Sequence, residues 1–195
     1  MKEPTASEVT AILAHPFDYD WSIQGFGMLR AYLDPDHVWR LHLWDLDSAF
    51  PDVSRIHDHP WDFTSRIVVG RMDNQRYEVD GPEGEPYQSA RILCGESAHL
   101  LEEPVTALVA PKATEHYGPE DFYAQEAPEF HESFPTAGAV TLVKRNFKQN
   151  RDVARVLWRE GVWGDAAPRP ATQQEIEHFV SLAMLPAPSS GEEKG

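Results

Sequence analysis

The chain reads as all-β, an antiparallel sandwich or barrel with short helices at its two ends. Three observations predict this. Short β-branched and aromatic runs recur through the middle of the sequence, with Gly, Pro, Asn and Asp between them. No helical crossover of the kind that parallel strands need lies between those runs. Helical periodicity is confined to the ends of the chain.

Taken in order, Thr5 to Leu13 is expected as an N-terminal helix with Thr5 or Ser7 as its cap. Phe26 to Leu33 and Val38 to Leu46 read as strands around a turn at Asp34, Pro35 and Asp36. Arg55 to Gly70 reads as one strand that pairs with Gln75 to Val79 through a turn at Arg71 to Asn74. A Gly/Pro-rich turn from Gly81 to Pro86 precedes a strand over Gln88 to Cys94. Val105 to Ala110, Phe122 to Gln125 and Ala139 to Phe147 supply three more. Asp152 to Arg159 is expected as a short helix, and Thr172 to Leu185 as a stronger one. Thr172 and Glu175 form a capping-box pattern, and Ile176, Phe179, Val180 and Ala183 share a face that should dock on the barrel or on a partner subunit. The segment Pro186 to Gly195 reads as a flexible tail. The expected organisation is a helical lead-in over 1–25, a barrel over 26–150, a helical extension over 151–185 and a tail over 186–195, with no internal repeat.

With 195 residues, 41% hydrophobic and 25% charged, the chain suits one domain with a sizeable core, and its six Trp, six Tyr and nine Phe argue against disorder. A net charge of −15 repels phosphate backbones and anionic membranes, so no nucleic-acid or membrane partner is expected. No apolar run approaches the roughly 18 residues that cross a bilayer, and the N-terminus lacks a signal-peptide pattern. The single cysteine, Cys94, excludes an internal disulfide and fits a reducing cytoplasm. Within Arg91-Ile92-Leu93-Cys94 it reads as a buried structural thiol rather than a nucleophile.

The chemistry concentrates in Ser54-Arg55-Ile56-His57-Asp58-His59-Pro60-Trp61-Asp62-Phe63. On a strand, His57 and His59 project from the same face and bring two imidazoles together. That geometry suits a borderline metal such as Fe(II), Zn(II), Mn(II) or Ni(II). One such pair among nine histidines carries little weight by itself. His131, just before the strand from Ala139, is the leading third ligand, and His116 is the alternative. Asp62 falls on the opposite face of an unbroken strand. It ligates only through a bulge, and otherwise bonds a neighbouring backbone or orients a ligand. Trp61 and Phe63 share the parity of the two histidines and should wall the site. His42 and His99 read as strand and loop residues.

These residues carry a resemblance to the cupin superfamily over roughly residues 38–147. The first cupin motif is G-x5-H-x-H-x3,4-E-x6-G. His57, His59 and Gly70 fall in register with it, Phe63 stands where the glutamate would be, and Pro51 replaces the first glycine. The second motif is G-x5-P-x-G-x2-H-x3-N. His131 is in register there, while Glu120, Glu126, Pro128 and Pro135 occupy its other fixed positions, and Asp121 and Phe122 match the G-D-apolar opening often seen. The resemblance implies a single cupin barrel, a double-stranded β-helix or jelly roll, with His57, His59 and His131 as metal ligands. Loss of the glutamate resembles the three-histidine iron centre of the cysteine-dioxygenase branch. This implies Fe(II), with substrate and O2 bound side by side. A site without a carboxylate keeps the full charge of the metal and favours an anionic, chelating substrate.

Thiol dioxygenases carry a Ser-x-His-x-Tyr set on the strand after the third ligand. Thr141, Val143 and Arg145 match those positions, which implies a substrate other than cysteine. Cys94 also lies too far from the first motif to be the crosslinking cysteine of that family. Tyr123 and Gln125 alternate on the strand leading to His131, with Asp121 on the same side. Either could hydrogen-bond a bound substrate, or Tyr123 could be a core residue. Arg145 could pair with a substrate carboxylate, or be a surface arginine, and Arg40 has a similar claim. The expected function is a mononuclear non-haem Fe(II) dioxygenase acting on a small anionic organic substrate. The alternatives are a non-redox metal-dependent isomerase, lyase or hydrolase, and a small-molecule-binding protein without turnover. A homodimer is expected, because cupins often pair.

Overall fold

Alternation within the strand Trp39–Trp44 sets the plan of the molecule. All six residues are buried. Trp39, Leu41 and Leu43 join an apolar cluster beneath the helices. Arg40, His42 and Trp44 face the other way, into a cavity.

The structure is a computed structural model that describes residues 2–50, 53, 55–94, 99–146, 153–159 and 168–185. Its strands are Trp21–Gln24 (β1), Met28–Tyr32 (β2), Trp39–Trp44 (β3), Ile56–His57 (β4), Asp62–Val69 (β5), Met72–Val79 (β6), Glu85–Leu93 (β7), His99–Leu100 (β8), Val105–Tyr117 (β9), Phe122–Gln125 (β10), Phe130–Pro135 (β11), Val140–Asn146 (β12), Val153–Trp158 (β13) and Arg169–Pro170 (β14). Helices Ala6–Ala14 (α1) and Gln173–Met184 (α2) flank them. One sheet is open, in the order β10-β5-β12-β3-β2-β1-β14. The other runs β13-β4-β11-β6-β9-β7-β8, and β13 also pairs with β7, so all but β8 close into a ring. The fold is mostly β with two short helices, consistent with the jelly-roll barrel expected.

Both helices start where their sequences say they should. The Thr5 hydroxyl accepts from the Glu8 N–H while the Glu8 carboxylate accepts from the Thr5 N–H, and Thr172 and Glu175 repeat the arrangement in α2. Val9, Ile12 and Leu13 of α1 and Ile176, Phe179, Val180 and Ala183 of α2 share one core with Leu29, Ala31, Leu41, Leu43 and Leu142 of the open sheet. The apolar face of α2 therefore covers this chain's own sheet and is not left for a partner. The approach is close. A Cβ on Gly138, which holds φ at +74°, would lie 2.4 Å from the Leu182 carbonyl oxygen. A second cluster, Ile56, Ala107, Val109, Phe130 and Leu157 with Tyr77, Val79 and Tyr87, draws on all six strands of the ring.

Several sequence expectations need correction. Arg55 to Gly70 is not one strand: β4 ends at His57, and β5 begins at Asp62 in the other sheet. Pro60 has no N–H to give a ladder, and the peptides of Asp58 and His59 bond Arg155 and Ala127 instead. For the same reason β5 does not pair with β6, which lies in the ring beside β11 and β9. Within Phe26 to Leu33 the strand is only β2, Met28–Tyr32, the second arm of a tight hairpin with β1 that turns through a left-handed Gly27. His131 lies within a strand, β11, that the sequence reading did not resolve. The expected helix from Asp152 is strand β13, whose Ala154 and Val156 alternate toward the cavity; Asp152 itself lies outside the described residues. Strands β1, β13 and β14 belong to the sheets although they fall outside the 26–150 span. Pro51, at the first motif position, and the tail Pro186 to Gly195 lie outside the described residues.

Candidate metal centre

His57 and His131 face each other directly, as Cα partners on β4 and β11. Their neighbours Ile56 and Phe130 turn to the ring core, so both imidazoles turn to the cavity. His59 arrives from the connection between the sheets. One ligand atom from each of the three lies within 4.8 Å of the others, the only such histidine or carboxylate group among the described residues.

The hydrogen bonds fix which nitrogens can serve. His57 Nδ1–H donates to the Arg55 carbonyl at 2.9 Å, and His131 Nδ1–H donates to Asn74 Oδ1 at 2.7 Å. Carbonyl and amide oxygens only accept, so both rings carry an unprotonated Nε2, and that of His131 is turned toward His59. His59 Nε2 lies 2.8 Å from His131 Nε2. Two nitrogens each about 2.1 Å from one metal, at right angles, would be about 3.0 Å apart. Burial holds all three imidazoles below the usual range, and His59 and His131 well below it, with the neighbouring histidines adding to the effect. Neutral rings with oriented Nε2 atoms are what imidazole ligation requires. The donor set fits a metal ion.

Asp62 is not in the cluster. Its Oδ1 accepts from the Ala127 N–H at 2.8 Å, the backbone role foreseen for it. His116 is exposed at the end of β9, where its Nδ1 lies 2.7 Å from Asp73 Oδ1. His42 is a buried strand residue on the cavity wall, and burial with Arg40 and Arg30 nearby holds it well below the usual imidazole range. His99 begins β8.

Above the histidines lies a cavity of about 1100 Å³ between the open sheet and the ring. Trp61 and Phe63 wall it, with ring centroids 5.0 and 4.9 Å from that of His59. Phe26 stacks on His57 at 4.9 Å. Tyr123 lines the cavity beside Phe63, and burial pushes its phenol up against the pull of the Ser65 and Ser133 hydroxyls. Arg145 lines it too, with its guanidinium 4.6 Å from the Trp61 ring centroid. Gln125 is not part of the wall: its amide donates to the Glu129 carbonyl and closes the turn that leads into β11. Thr141 and Val143 do face the cavity, and the Thr141 hydroxyl accepts from the Trp44 indole at 3.0 Å.

The turn positions of both motifs keep a left-handed backbone. Gly70 has φ +77°, and Glu120, at the first glycine of the second motif, has φ +71°. A glutamate is strained in that conformation. The sequence reading missed Asn74, Phe26, Arg30 and Tyr32. Nothing local marks Asn74, because its partner His131 comes from another strand. Arg30 did carry a signal, a charge within the otherwise apolar stretch Met28-Leu29-Arg30-Ala31. No protein-family model matches this chain, and no curated protein matches it.

Proposed function

We propose that this chain is a metal-dependent enzyme of the cupin type, allied to the three-histidine branch, and that it acts as a mononuclear non-haem Fe(II) dioxygenase on a small anionic organic substrate. The observation that carries this reading is the cluster of His57, His59 and His131, three neutral imidazoles converging on one point below a large cavity. Bound Fe(II) would supply open positions for substrate and O2 and the electronic route between them, and Zn(II), Mn(II) or Ni(II) suit the same donors. Both atoms of O2 enter the substrate, and the substrate supplies the electrons that reduce them. No separate reductant is required.

The chain's own residues divide the remaining work. Trp61 and Phe63 exclude water beside the histidines. Tyr123, kept protonated by burial, offers its hydroxyl proton to a substrate oxygen. Arg145 and Arg40, both on the Trp61 ring, draw the anionic end of the substrate into the cavity. Gln125 positions the turn before His131. The proposal includes a cytoplasmic location, from the single cysteine, and a homodimer. No described helix is long and apolar enough to cross a membrane. A single-chain mass in sedimentation equilibrium across a wide concentration range would remove the dimer.

The test is to load metal-free protein with Fe(II) or Zn(II) under argon and assay small acids, thiols and enols with an oxygen electrode. O2 uptake by the Fe(II) form alone is the expected result. Equal turnover by the Zn(II) form, or turnover without oxygen, would overturn dioxygenation in favour of an isomerase, lyase or hydrolase.

A further inference from the structure

Strands β2 and β3 give the cavity an unusual wall. Residues two apart face inward, and the register sets Tyr32 beside Arg40 and Arg30 beside His42. Arg30 and Arg40 are each only 8% exposed. Arg40 donates from Nη2 to the Tyr32 hydroxyl at 2.7 Å and lies over both Tyr32 and Trp61, at 4.8 and 4.7 Å. Arg30 donates from Nε to Ser22 Oγ at 3.3 Å and lies 5.2 Å from the Tyr32 ring centroid. Neither meets a carboxylate within 4.0 Å among the described residues, and the buried Nε of Arg40 has no acceptor among them.

Two adjacent buried guanidinium groups repel each other and forgo water, a costly arrangement without an anion. Composition does not account for it. Acidic side chains outnumber basic ones 32 to 17, yet this wall gathers two arginines, with Arg145 on Trp61 as a third cation nearby. Among the described residues the acidic side chains lining the cavity are Asp20 and Asp58, and Asp58 already accepts from the Arg155 N–H. Contact with the Tyr32 and Trp61 rings holds the guanidinium groups in place, and the Arg40 Nε donor is left over among the described residues.

We propose that Arg30, Arg40 and Tyr32 form an oxyanion subsite for a dianionic group, a phosphate monoester or a pair of neighbouring carboxylates. Trp61 touches both this subsite and the histidines, with the Arg40 guanidinium 4.7 Å and the His59 ring 5.0 Å from its ring centroid, so the group is held beside the histidine cluster. As an account of the substrate this rests on the proposed enzymatic reading: one end of the molecule meets the metal, and the other carries the dianion. As a binding site it stands on its own.

Inorganic phosphate and malonate are to be titrated calorimetrically into the full-length protein, as purified and after metal removal. Saturable one-site binding of at least one anion, retained without metal, is expected. Arg30→Met and Arg40→Met should each weaken it at least tenfold, and Tyr32→Phe should weaken it less. Thermal melting checks that each variant folds, and if Arg40→Met does not, Arg30→Met and Tyr32→Phe decide. Preference for phosphate assigns the ester, and preference for malonate the dicarboxylate. Absence of saturable binding, or affinity unchanged in Arg30→Met and Tyr32→Phe, overturns the subsite. The His57→Ala/His59→Ala variant separates the two readings. It should lose metal and still bind the anion, whereas a protein that keeps metal but binds neither anion retains the metal centre and loses this inference.

Discussion

His59 and Asp62 grip the two sides of one residue, Ala127. The His59 N–H donates to the Ala127 carbonyl at 3.0 Å, and Asp62 Oδ1 accepts from the Ala127 N–H at 2.8 Å. The connection from β4 to β5 is thereby clamped to the turn between β10 and β11, which leads directly into His131. Two of the three clustered histidines are held in mutual register by this clamp. Ala127 is fully buried, so Asp62→Ala strands an amide donor. The expected cost is about 1–3 kcal/mol in chemical denaturation, accompanied by weaker Zn(II) binding. Asp62→Asn keeps an acceptor and should recover most of both. Wild-type Zn(II) affinity in a folded Asp62→Ala protein would show that the clamp does not govern the site.

Asn74 fixes the tautomer of His131, so its removal should act on the metal without touching it. Asn74→Leu is expected to lower Zn(II) affinity about 10–100-fold. His131→Ala should abolish stoichiometric binding, and His116→Ala should leave it unchanged. Competition titration with a chelating dye measures all three. Loss of metal in the His116 variant alone would mean that the wrong histidine has been assigned.

Glu175 gives a pH signature. Its carboxyl is lowered from 4.5 to about 2, first by Arg169, against the effect of burial, and then by the Thr172 N–H and hydroxyl. A carboxyl depressed in the folded state stabilises fully above its unfolded value and loses that contribution as pH falls toward the folded value. Glu175→Gln should therefore be about 1 kcal/mol less stable than wild type at neutral pH, a modest figure because the side chain is partly solvated. The gap should close between pH 4.5 and about 2. A gap that persists at the acid end would show that charge is not its source.

Gly138 is the seat of α2. Gly138→Ala must push against the Leu182 carbonyl from a left-handed backbone, and a loss of about 1–3 kcal/mol is expected. Phe179→Ala, at a position 1% exposed, should lose about 3–5 kcal/mol. Thermal melts of both variants test whether the helix is integral to the open sheet. Melting points equal to wild type would show that it is not.

Much of this architecture was legible where the signal is local. The capping boxes at Thr5 and Thr172, the helix faces and the spans of β3, β10 and β12 rest on residues close in sequence. The histidine pair was legible as spacing, but for a different reason from the one the spacing suggests. His57 and His59 converge because the chain leaves one sheet for the other at Pro60, not because they alternate along one strand. Strand β13 was misread because Asp152 to Arg159 contains good helix formers. Its pairing with β7 and β4 overrides that preference, and those partners lie far away in sequence. Asn74 and the Arg30–Tyr32–Arg40 group were illegible for the same reason: each becomes meaningful only beside a strand that no local pattern identifies.

Closure of the ring has a consequence for how the molecule is made. The shutting strand comes late: Val153 pairs with Leu93 and Val156 with His57, so β4 and β7 keep open edges until the chain has been synthesised past Trp158. His57 and His59 leave the ribosome well before His131 and the strand that shuts the ring beside them. Distant pairings of this kind place folding on a timescale of about milliseconds to seconds. During that interval the nascent chain offers both a template for intermolecular strand addition and a solvent-exposed pair of imidazoles. A chain ending before Val153 should remain in that condition, binding divalent ions loosely and aggregating through β4 and β7.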